Sequence, residues 1–124
     1  MTRLFKPADA NRTLPLVKRI VADILEHGRD LRRLANRRDR DSVRDKIERL
    51  EAALRANMQE LEQIGCSYKD WSFEVGLVDF PAKIGGRPVL LCWRSDEESV
   101  EWFHSYEEGY SGRCKIPEPL LKES

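Results

Sequence analysis

The sequence predicts an α+β fold: a long antiparallel helical hairpin, then a small antiparallel β-sheet and a short C-terminal helix. Three observations predict it. Apolar residues recur at helical spacing as far as Ile64. The period changes to two from Trp71. Gly85-Gly86 then separates two apolar runs, where a hairpin turn needs positive φ. A chain of 124 residues suits one domain spanning 1–124, divisible into the hairpin (1–65) and a smaller α+β half (66–124).

The first helix carries Val17, Ile20, Ile24, Leu31 and Leu34 on one stripe, widened by Val21 and Leu25. Pro15 removes one helical hydrogen bond and crowds the preceding turn, so one long helix with a break or kink near Pro15 is expected. Gly28 interrupts the helix, which weakens it by about 1 kcal/mol relative to Ala unless the position serves close packing. The second helix carries Ile47, Leu50, Leu54, Leu61 and Ile64, a heptad seam with Asn57 at the skipped position. Asp41 or Ser42 is the expected N-cap, with Ser42-x-x-Asp45 as a capping box, and Gly65 is the expected C-terminal stop. Folding the pair back around residue 40 brings Ile24 towards Asn57 and His27 towards Leu54. His27 then reads as a packing residue and Asn57 as a register-setting one.

In the second half, Trp71, Phe73, Val75 and Leu77 alternate with Ser72, Glu74 and Gly76, as in a half-buried strand. Val89 to Arg94 forms the next strand, paired back on Phe80 to Ile84. Pro81 and Pro88 lack a backbone donor and belong where the ladder is open. Ser95-x-x-Glu98 resembles a capping box, so the short C-terminal helix is expected from Ser95 to Tyr106 or Glu107, ending at Gly109. Gly109 to Arg113 is a Gly-bracketed turn, and the tail from Ile116 to Pro119 is extended.

Net charge is zero, with 22 Lys+Arg against 22 Asp+Glu, which excludes a strongly basic nucleic-acid module. The zero hides a split: residues 1–64 carry 15 basic and 11 acidic residues, and residues 65–124 carry 7 and 11. Arg29, Arg32, Arg33, Arg37, Arg38 and Arg40 cluster on the first helix and the turn that follows. Asp30, Asp39 and Asp41 interleave with them, and no aromatic side chain lies nearby to stack on bases, so a solvated face is favoured over a nucleic-acid surface. No apolar run reaches a membrane span, and Met1 to Lys6 is too polar for a secretory signal. Cys66, Cys92 and Cys114 are odd in number and widely spaced, which points to reduced thiols in a cytoplasm. Their spacing gives no support to a zinc site built with His104, and Cys92 reads as a small core residue.

Several motifs resemble a known family. They are Ala10-Asn11-Arg12-Thr13-Leu14-Pro15-Leu16-Val17, Gly76-Leu77-Val78-Asp79-Phe80-Pro81-Ala82, Leu91-Cys92-Trp93-Arg94 and Gly109-Tyr110-Ser111-Gly112-Arg113. In that order, over residues 5 to 117, the chain resembles a bacterial family of small uncharacterised proteins, a domain of unknown function. The resemblance implies a cytoplasmic bacterial protein and brings no activity or catalytic residue with it. Where that family reads Trp-His before the Gly-rich turn, this chain reads Trp102-Phe103-His104, which leaves open whether His104 holds the family position.

The candidate chemistry lies in the aromatic half. Asp79, between Val78 and Phe80, must be paired or face solvent. Glu101 and His104, read as i and i+3 on one helix face, form the Glu-x-x-His arrangement of carboxylate metal sites, and Asp79 could supply a third ligand to a divalent transition metal. Arg94 and Arg113 are candidates for holding an anion. Each also has an ordinary structural role: Asp79 as a turn cap or ion-pair partner of Arg113, Glu101 and His104 as a surface pair, Arg94 paired with Asp96 or Glu97. No Walker loop, Gly-x-Gly-x-x-Gly or Ser-His-Asp arrangement is present. The favoured expectation is a non-catalytic binding or regulatory module that forms a homodimer through its hairpin. A metal-binding protein or metal-dependent enzyme using Asp79, Glu101 and His104 is second, and nucleic-acid binding third.

Overall fold

In the computed structural model, which describes residues 3–37 and 39–123, the expected hairpin is present as α1 (Pro7–Ala35) and α2 (Arg40–Ile64). Arg38 of the basic cluster and the side chain of Arg40 lie outside the described residues. Pro7 opens α1, where a missing N–H does no harm, and the helix continues unbroken through Pro15, whose ring faces solvent. Helix α2 starts earlier than the capping-box reading placed it. Asp39 is its N-cap, and the Ser42 hydroxyl and amide both bond back to Asp39. Gly65 ends α2 at φ 109°, and the amides of Gly65 and Cys66 both donate to the Leu61 carbonyl. On the seam, His27 Nδ1 donates to Asn57 Oδ1 at 3.1 Å, which satisfies the buried Asn57 amide oxygen.

A five-stranded antiparallel sheet follows, in the order β1 (Ser67–Tyr68), β2 (Leu77–Ile84), β3 (Arg87–Arg94), β4 (Trp102–His104) and β5 (Cys114–Lys115). A short helix, α3 (Glu118–Lys122), closes the chain. The α+β class therefore holds, with the C-terminal helix in the segment read as an extended tail. Gly85 and Gly86, at φ 59° and 77°, make the two-residue turn that pairs Ile84 with Arg87. Val78, Phe80 and Ala82 of β2 and Val89, Leu91 and Trp93 of β3 share the inner face, and with α1 residues Leu14, Val17, Val21 and Ile24 they form the core.

Two segments differ from expectation for identifiable reasons. Residues 71–75 form a turn rather than a strand, because the Asp70 carboxylate accepts from the Ser72 amide, the Ser72 hydroxyl and the Val75 amide. Phe73 sits in this turn at φ 59° and lays its ring on Gly28. Residues 95–101 form a turn leading into β4 rather than a helix. The would-be cap Ser95 is engaged elsewhere, its Oγ accepting from the Gly76 amide, and Asn11 on α1 clamps the Val100 backbone through both its amide and its carbonyl. Trp102 and Phe103 then add strand propensity where the capping box suggested helix.

Past Gly28 the two helices continue beyond the sheet. Leu31, Leu34, Ile47 and Leu50 are only half-buried there, and Val43 is buried. No helix among the described residues is long and apolar enough to cross a membrane.

Gly28→Ala tests the closest of these contacts. In an ordinary helix interior the change stabilises by about 1 kcal/mol. Here the added methyl would collide with Cβ, Cγ and Cδ1 of Phe73. A loss of about 1–3 kcal/mol in urea unfolding is expected instead.

Candidate metal centre

Directly opposed residues of an antiparallel pair project to the same face. Asp79 opposes Cys92, Cys92 opposes Trp102, and Leu90 opposes His104. Strands β2, β3 and β4 thus each bring one side chain with a potential metal-ligating atom to the outer face, away from the helices. There the loop 105–113 covers them, and all three are buried: Asp79 is 5% exposed, Cys92 1% and His104 4%. One carboxylate oxygen, the thiol sulfur and one ring nitrogen lie within 4.8 Å of one another.

The orientation of His104 is fixed from outside the cluster. Its Nδ1 lies 2.8 Å from the Ser105 carbonyl, which can only accept, so Nδ1 carries the hydrogen. Nε2 therefore faces Asp79 Oδ1, 3.2 Å away. A ring nitrogen and a carboxylate oxygen at this distance need a proton or a cation between them. Burial raises the Asp79 carboxyl above its ordinary range, against the pull of His104. Burial also pushes the Cys92 thiol up to about 12, and the Asp79 charge adds to that. Without a cation, Cys92 stays a thiol.

The loop over the cluster is held by arginines. The Arg113 guanidinium lies 4.9 Å from the Trp102 ring and 4.8 Å from that of Tyr110, and donates to Glu97 Oε1 at 2.7 Å and to the Cys92 carbonyl at 3.2 Å. Arg94 pairs with Asp96 at 3.3 Å and donates to the Tyr110 hydroxyl at 3.0 Å. Both candidate anion-binding guanidiniums are thus engaged with carboxylates of the 95–97 turn. Beside the ligands lies a recess of about 260 Å³, lined also by Lys69, Leu77, Leu90, Tyr106, Gly109 and Tyr110.

Of the residues singled out in the sequence, Asp79 and His104 meet. Glu101 does not join them, because a strand alternates where a helix would have aligned the two, and Glu101 pairs with Lys115 at 3.0 Å. Cys92 takes the third position. Its signal was available: Asp79 precedes Gly85 by as many residues as Cys92 follows Gly86, so a two-residue turn sets them face to face. On the basic cluster, Arg33 pairs with Asp30, Arg37 with Asp39 at 2.8 Å, and Arg32 with Glu74 at 3.9 Å and with the Ser72 carbonyl.

Asp79→Asn separates stability from chemistry. The asparagine amide can donate to His104 Nε2 while its oxygen faces Cys92, and no charge is buried. Because the folded Asp79 pKa is raised, the native state holds this proton more tightly than the unfolded chain. Wild-type stability therefore falls as pH rises from the unfolded carboxylate value through the folded one. In chelator-treated protein, the variant should match wild type below about pH 4 and exceed it at pH 7 by on the order of 1 kcal/mol. Denaturant titrations at the two pH values check this.

No curated protein and no solved structure matches the chain. A family model described as "Uncharacterized conserved protein (DUF2203)" matches residues 3–116. With that match spanning nearly the whole sequence, the chain belongs to this family of uncharacterised conserved proteins.

Proposed function

We propose that this protein is a binding module that holds one divalent transition metal on Asp79 Oδ1, Cys92 Sγ and His104 Nε2, with a coordination position left open to the adjoining recess. The observation that carries the reading is the orientation of His104. Its Nδ1–H is committed to a backbone carbonyl, as is usual for metal-ligating histidines, and its Nε2 faces a carboxylate across 3.2 Å. That separation is close to the edge of a tetrahedron with bonds of about 2.0 Å, roughly 3.3 Å. One oxygen, one nitrogen and one sulfur donor suit zinc or cobalt better than magnesium or calcium. Three protein ligands with a fourth position free is the pattern of zinc sites that bind or activate a further group. The free cysteines Cys66, Cys92 and Cys114 fit a reducing, cytoplasmic compartment.

Chelated protein reloaded with zinc should retain about one equivalent after desalting, by elemental analysis. Cobalt should give a thiolate-to-metal charge-transfer band that Cys92→Ser abolishes. His104→Ala should weaken zinc binding at least about 100-fold. Retention below about a tenth of an equivalent in folded wild-type protein overturns the reading.

We also propose that the protein self-associates through the hairpin arm. A groove there is floored by Leu34 and Leu50 and rimmed by Asp30, Arg33, Arg37, Lys46 and Arg49. Nothing else among the described residues covers this apolar floor, and a second hairpin is the partner of matching shape. Light scattering at micromolar concentration should give twice the chain mass for wild type and the chain mass for Leu50→Asp. A wild-type monomer overturns the proposal.

A further inference from the structure

We propose that the ligand entering the recess is a small monocarboxylate with an apolar or aromatic body, its carboxylate bridging the bound metal and Lys69. The inference rests on the metal reading above and specifies what that site takes.

Charge selects the head group. A divalent cation on the Asp79 carboxylate, the Cys92 thiolate and a neutral His104 is a neutral centre, since a coordinated thiol loses its proton. Lys69 lines the same recess and adds one positive charge, near enough to act on Asp79. The other charges close by are paired, Arg94 with Asp96 and Arg113 with Glu97. Among the described residues the recess is then left with the charge of Lys69, which a monoanion neutralises and a phosphate dianion overshoots.

Shape and surface select the body. At about 260 Å³ the recess lies below the roughly 300–1,000 Å³ of drug-sized sites, so the ligand is small. Leu77 and Leu90 form aliphatic walls, and Tyr106 and Tyr110 stand over the opening 55% and 40% exposed. Large aromatic surface left open beside a charged floor fits a ligand that is anionic at one end and apolar at the other. Tyr110 is held in place by Arg94, so this wall is preformed.

The test uses cobalt-loaded full-length protein and benzoate as the probe, with acetate, benzyl alcohol and inorganic phosphate as comparisons. Benzoate is expected to shift the visible spectrum of the bound cobalt and to bind at least about tenfold more tightly than acetate or phosphate. Benzyl alcohol should leave the spectrum unchanged. Lys69→Met should weaken benzoate about tenfold while the cobalt spectrum without benzoate stays as in wild type. Tyr110→Ala should weaken benzoate but not acetate. A cobalt band that forms normally and does not respond to benzoate overturns this inference alone, as does phosphate binding as tightly as benzoate. A cobalt band that never forms overturns the metal reading and this inference with it.

Discussion

The Gly85–Gly86 turn sets the register of β2 against β3, and that register decides which face of the sheet each side chain occupies. In the observed register Val78, Phe80, Val89, Leu91 and Trp93 enter the core, while Asp79 and Cys92 stand opposite one another on the outer face. A slip of one residue would carry the Asp79 carboxylate into the apolar layer against α1 and bring Phe80 out. Burial of an unpaired carboxylate is costly enough to exclude that alternative. The apolar alternation and the two glycines therefore enforce one pairing, and the candidate site follows from it. β4 completes the set because its own pairing with β3 brings His104 opposite Leu90, one step along from Cys92.

Those parts of the fold governed by local periodicity were legible in the sequence. The α2 seam, its stop at Gly65 and the glycine turn each depend on residues close in the chain. The failures occurred where a distant group competed for a local signal. Ser95 and Glu98 look like a capping box, yet Ser95 Oγ accepts from Gly76 and Asn11 pins Val100 from α1, both remote in sequence. The alternation from Trp71 to Val75 was genuine, but the Asp70 side chain offered the backbone a tighter set of hydrogen bonds than a strand would. The site was half legible for the same reason. Asp79 and His104 are conspicuous as polar residues in apolar company, whereas Glu101 aligns with His104 only on a helix and Cys92 sits in an apolar run like any core residue. With residues 102–104 in a strand, Cys92 stands beside Asp79 and His104 in place of Glu101.

Sheets of this kind usually leave the face away from the helices to water. Here loop 105–113 covers it, fastened by Arg113 between two aromatic rings and by Arg94 on Tyr110. The cover removes solvent from a carboxylate, an imidazole and a thiol together. For stability alone that arrangement is unfavourable, and apolar residues at the same positions would pack as well. Polar groups held in a poor electrostatic position by an otherwise well-made fold are a recognised mark of a functional site.

The opposite charges of the two parts of the chain can be understood in the same terms. Of the 15 basic residues before Gly65, Arg29, Arg32, Arg33, Arg37, Arg44, Lys46, Arg49 and Arg55 belong to the arm end of the hairpin or its approach, away from the sheet. The acids of the second half, by contrast, are partly spent holding the site's cover: Asp96 pairs with Arg94, which holds Tyr110, and Glu97 pairs with Arg113. The excess positive charge therefore lies where the apolar seam is incompletely covered, and the internally paired acids lie where the recess opens. The proposed association at the arm and the proposed ligand entry at the recess would use separate surfaces, so that occupation of one would leave the other accessible.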